Sequence, residues 1–173
     1  MIVPSTTDHQ STTRFPWRMA LVFAVGVLLL GMGDALITMI IAHGNAAKNP
    51  TYLYPSIWPD DWVFWVVWIV IYPCLGVATA LIWQRRHTIP IRRAIICFTA
   101  LLAVTLLFLP LSDVVQGNPI GLTLMDASAF LLSYALAWAY GRVTRTALWW
   151  LVPLLLWTPV TLLLKIWYWH LNF

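Results

Sequence analysis

The stretch from Pro55 to Trp83, PSIWPDDWVFWVVWIVIYPCLGVATALIW, constrains this chain more than any other. A proline-rich, acidic elbow runs without a break into an apolar segment that carries Trp62, Trp65, Trp68, Tyr72, Gly76 and Trp83. On a helix these residues recur every three, four or seven positions and form one stripe. At about 1.5 Å per residue, Trp62 to Trp83 covers about 32 Å, which matches a hydrocarbon core about 30 Å thick. The segment is expected to cross a membrane with one aromatic face turned toward a partner that this pattern alone leaves unnamed.

Composition extends that expectation to the whole chain. Of 173 residues, 61% are hydrophobic and only 9% charged, against roughly 25% charged in a soluble domain. Such a chain cannot cover a water-facing surface, so it is expected to be an integral membrane protein of one compact helical bundle. The net charge is +4, but the basic residues are scattered between apolar runs. They orient the chain in the bilayer rather than bind nucleic acid.

Five spans are expected, at about 17–42, 62–83, 94–111, 122–141 and 147–169, the third ending near Pro110. Residues 1–16 form a polar tail before a single membrane domain, 17–173. The short RVTRT turn makes spans four and five antiparallel neighbours. Arg14, Arg18, Arg85, Arg86, Arg92, Arg93, Arg142 and Arg145 then fall on one side, and Lys48 and Lys165 on the other with Asp60, Asp61, Asp113 and Asp126. The positive-inside rule places the N-terminus in the cytoplasm and the C-terminus outside, as fits a bacterial inner membrane. Trp17, Trp58, Trp62, Trp83, Trp149, Trp167 and Trp169 lie near the ends of apolar runs and fit interface anchors. Trp68 and Trp157 lie well inside theirs, where a belt does not explain them.

A resemblance emerges from these residues. Pro55, Ser56, Pro59, Trp62, Val63, Trp68, Tyr72, Gly76, Leu81 and Trp83 fit without a gap the second-helix pattern of the tryptophan-rich sensory protein/translocator protein (TspO/MBR) family. Pro153, Trp157, Thr161, Trp169 and Asn172 resemble its last helix. The resemblance implies a TspO-like all-α bundle of five transmembrane helices, often a homodimer. It also implies an apolar pocket that the loop between helices one and two closes. Family members bind porphyrins, and some bind sterols or synthetic aromatic amides. The pocket side of the pattern departs from the family: Ile57 replaces a Trp, Asp60 a Pro, Leu154 a Tyr, and Lys165 an Asn. Thr105 and Phe108 stand where an Asn and a Trp precede Pro110.

The resemblance thus points to a receptor or carrier for a hydrophobic, porphyrin-like tetrapyrrole. The alternatives are a porphyrin-degrading membrane enzyme and a structural membrane subunit without ligand. Trp68 and Trp157 match the family's pocket tryptophans, and flat ligands favour aromatic walls. Trp65, Tyr72 and Thr161 complete the expected lining. Asp34, inside span one, is costly in a bilayer unless it has a use. Lys165 shares a helix face with Trp157 and Thr161 and is expected at a depth similar to that of Asp34. The two either pair across the pocket mouth, or Lys165 meets a ligand carboxylate; alternatively Lys165 snorkels to the interface and Asp34 is protonated or capped. Ala129, Ser133, Ala137 and Gly141 form a small-residue stripe that suits packing within the bundle or a dimer seam equally. Gly26, Gly31 and Gly33 give a weaker signal of the same kind.

No soluble-type catalytic constellation and no phosphate loop occurs, so no catalytic residue is assigned. Cys74 and Cys97 sit in apolar runs as small hydrophobes, and His9, His43, His87 and His170 are dispersed over tails and loops. Neither a metal nor a resident cofactor is implied; porphyrin enters only as a possible ligand.

Overall fold

In a bilayer every backbone N–H and C=O must be satisfied within its own segment, so apolar runs of this length become helices. The computed structural model describes residues 15–41 and 51–173; the polar tail to position 14, Ala42, His43 and Lys48 lie outside the described residues. Five helices follow one another: α1 (Trp17–Ile41), α2 (Asp61–Gln84), α3 (Arg92–Val114), α4 (Pro119–Gly141) and α5 (Thr146–Asn172). Each is long and apolar enough to span a membrane.

The helices close into a ring: α1 packs on α2, α2 on α5, α5 on α4, α4 on α3, and α3 returns to α1. The core runs through Ile71, Leu75, Ala78 and Ile82 of α2, Leu101 of α3, Leu136 and Tyr140 of α4, and Leu151 and Leu154 of α5. The α1–α2 seam depends on two glycines. A Cβ on Gly76 would strike the backbone of Phe23 and Ala24, and one on Gly31 would overlap the Tyr72 ring. Gly26 and Gly33 face open space and take no part in the seam. On α4, Ala129 and Ser133 are buried, the Ser133 and Thr158 hydroxyls lie 3.1 Å apart, and Gly141 faces the Leu148 side chain. The small-residue stripe of α4 therefore packs against α5.

Proline leaves its mark on two helices. Helix α3 does not stop at Pro110 but continues to Val114, where the Ser112 hydroxyl donates to the Leu109 carbonyl at 2.7 Å. In α5, Pro159 cannot donate to the Leu155 carbonyl; the Tyr134 hydroxyl of α4 donates to that oxygen instead, at 3.3 Å. The α3–α4 turn places Gln116 (φ 50°) and Gly117 (φ 70°) in the left-handed region. Asn118 then caps α4, its side-chain oxygen accepting from Ile120 at 3.0 Å and Gly121 at 3.2 Å.

The two ends of the bundle differ in chemistry. One gathers Arg18, Arg85, Arg86, Arg92, Arg93, Arg142 and Arg145 at helix termini and turns. There the guanidiniums of Arg18, Arg86 and Arg142 lie over the rings of Trp17, Trp83 and Trp138, at 5.2, 5.2 and 4.3 Å. A cavity of about 130 Å³ opens at this end beside Phe15, Gln84, Arg85 and Thr146. The opposite end carries the aromatic segment that leads into α2.

Candidate ligand site

The segment from Thr51 to Asp60 forms a strap laid across the C-terminal end of α5. Pro55 and Trp58 close a tight turn, with the Trp58 N–H donating to the Pro55 carbonyl at 3.0 Å. The turn directs three aromatic rings at Tyr168: Tyr54 stacks on it at 4.8 Å, Trp58 tilts at 5.4 Å and Tyr52 meets it edge-on at 6.1 Å. Tyr168 is fully buried, and its hydroxyl donates to the Gly117 carbonyl of the α3–α4 turn at 3.0 Å. Asn172, one turn further on, holds the strap backbone at Leu53. Trp58, expected as an interface anchor, instead belongs to this cluster.

One turn before Tyr168, Lys165 is buried under the strap. Its ammonium sits 4.3 Å from the centre of the Trp58 ring and 5.9 Å from that of Phe108 on α3. Among the described residues it makes no ion pair with Asp34. The charge that acts on it is Asp126, on α4. Similar depth was not enough for Asp34: α1 packs mainly on α2, and Asp34 lies within electrostatic reach of Tyr72. Lys165 does not snorkel outward either.

The expected lining residues fall into two linked groups. Thr161 is buried beside Asp126 and donates to the Thr158 carbonyl at 3.1 Å. One turn earlier, Trp157 packs on Phe64 of α2 at 5.7 Å, edge to face, and its indole Nε1 is buried with no hydrogen-bond partner among the described residues. Across the ring, Trp68 tilts on Tyr72 at 4.9 Å, and the Tyr72 hydroxyl lies within reach of Thr105 on α3. Trp65 is partly buried on α2. The Phe64–Trp157 contact joins the α5 group to the α2 group.

The sequence reading assigned Asp126 to the outer acidic cluster. It is 7% exposed inside α4, and its Oδ2 accepts no hydrogen bond among the described residues. The rule that singled out Asp34, an acid within an apolar span, applies equally to Asp126, which lies inside both the expected span 122–141 and α4. Phe64 and Tyr168 carried no signal apart from their helical register. Among the described residues no cluster of His, Cys, Asp and Glu could hold a metal ion.

The TspO/MBR family profile matches residues 19–170, nearly the whole chain. The chain belongs to the TspO/MBR family. Comparison with curated proteins finds no match. Family membership and five apolar spans together make this an integral multi-pass membrane protein of a ligand-binding family. The TspO/MBR match takes in α2 to α4 in full and α5 to His170, and so includes Trp68, Tyr72, Trp157, Thr161 and Lys165.

Proposed function

We propose that the protein is a membrane receptor or carrier for a flat hydrophobic ligand of the porphyrin-like tetrapyrrole class. The ligand is held between the aromatic faces of α2 and α5, and the strap serves as its lid. The observation that carries this reading is the indole N–H of Trp157, buried beside Phe64 and without an acceptor among the described residues. A buried donor left open is uncommon in a finished core, and an indole that offers both a ring face and an N–H suits a flat ligand with a polar atom. On this reading the arginine-rich end faces the cytoplasm and the strap end faces outward, in a bacterial inner membrane.

The test is a titration of the detergent-purified protein with protoporphyrin IX in the dark, followed by tryptophan fluorescence. Saturable quenching is expected, with affinity about three- to tenfold weaker in Trp157→Phe, which keeps a ring and loses the donor. Absence of saturable quenching would sink the proposal. Loss of the porphyrin absorbance with turnover under light would assign the protein to enzymes instead.

A further inference from the structure

Lys165 and Asp126 are each 7% exposed, on adjacent helices. The Thr123 hydroxyl of α4 donates to the Lys165 carbonyl at 3.0 Å, which fixes the two helices at this level. Among the described residues Lys165 and Asp126 close no ion pair, although each acts on the other's charge. The rings of Trp58 and Phe108 offset part of the ammonium charge. Among the described residues they leave its N–H groups without an oxygen or nitrogen acceptor. Asp126 Oδ2 is buried and, among the described residues, accepts no hydrogen bond. Unfilled valences on buried charges are costly, more so than on neutral groups. The two groups are complementary: one lacks an acceptor and the other lacks a donor.

We propose that this centre receives the polar end of the ligand, and that this end is a neutral group able to do both jobs, a hydroxyl or a primary carboxamide. It accepts a hydrogen bond from Lys165 Nζ and donates one to Asp126 Oδ2. An ionised carboxylate would satisfy Lys165 but set its charge against Asp126, where the low dielectric makes repulsion strong. An ester can accept but cannot donate. This rests on the ligand reading above and deepens it by naming the group that enters first-rank contact with charge. It also departs from the expectation that Lys165 meets a ligand carboxylate.

The test uses the full chain in detergent, in the dark, with three forms of one macrocycle: protoporphyrin IX, its dimethyl ester and its diamide. Binding is read from the Soret absorbance. The diamide should bind about tenfold or more tightly than the ester, and more tightly than the free acid. Asp126→Asn should reverse the order of diamide and free acid, because Lys165 then meets a carboxylate unopposed. Lys165→Met should bring the diamide down to the level of the ester. Equal binding of the three forms, a free acid that binds tightest to the wild type, or an order unchanged in Asp126→Asn would each overturn the inference. If Trp157→Phe still weakened binding in those cases, the ligand reading would stand without it. Failure of all three forms to bind would overturn both. Should either variant not fold, the wild-type order decides alone.

Discussion

Asn172 grips the peptide of Leu53 at two points: its side-chain oxygen accepts from the Leu53 N–H at 2.8 Å, and its side-chain nitrogen donates to the Leu53 carbonyl at 2.8 Å. The same nitrogen donates to the Tyr168 carbonyl at 2.7 Å. A primary amide thus stands in for a neighbouring strand, and the strap is fastened by its backbone rather than by its side chains alone.

Asn172→Ala should release this fastening without unfolding the bundle. Both bonds are solvent-exposed, so the loss is local, about 1–2 kcal/mol. Amide hydrogen exchange checks it: protection at Leu53 should fall about tenfold while the thermal midpoint hardly moves.

Gly76→Ala should be among the most damaging single-methyl changes in the chain. The new carbon would meet the α1 backbone, Ala24 Cα at 2.6 Å, and backbone cannot swing aside. A loss of about 2 kcal/mol or more is expected in detergent unfolding. Gly26→Ala and Gly33→Ala, which face open space, should stay within about 0.5 kcal/mol of the parent.

Gly31→Ala presses on a side chain instead. The Tyr72 ring must move, and it can move only by disturbing its 4.9 Å contact with Trp68. Porphyrin affinity, measured by dark titration, should therefore fall several-fold in a variant that remains folded.

Tyr134 and Pro159 form a coupled pair through the Leu155 carbonyl. Tyr134→Phe should cost about 0.6 kcal/mol, the usual worth of an interhelical hydrogen bond in a membrane. In a Pro159→Ala background the helix supplies its own N–H to that carbonyl, and the same change should cost nearly nothing. A double-mutant cycle on unfolding measures the difference.

The membrane fold was legible because bilayer thickness sets the length of each apolar run, and loop arginines mark one end. Which faces meet was less legible. Asp34 and Lys165 looked like partners because sequence gives depth along a helix. Ring order puts α4, and so Asp126, next to α5. The α4 small-residue stripe allowed two uses, and only the Ser133–Thr158 contact directs it to α5. Pro110 suggested a helix end, yet a proline within an apolar span can stay helical when neighbouring side chains serve the backbone. Trp58 looked like an anchor from its position near an apolar run; the turn at Pro55 aims it at Lys165 and Tyr168 instead.

The three points that hold the strap, Lys165 beneath Trp58, Tyr168 beneath Tyr54 and Asn172 at Leu53, fall three and four residues apart on α5. Residues so spaced share one helix face. A roll of α5 about its own axis would carry all three out of register together, so the strap would let go in a single event instead of peeling from one end. With the strap as the proposed lid, access to the ligand would be tied to the angular setting of one helix, the same helix that presents Trp157.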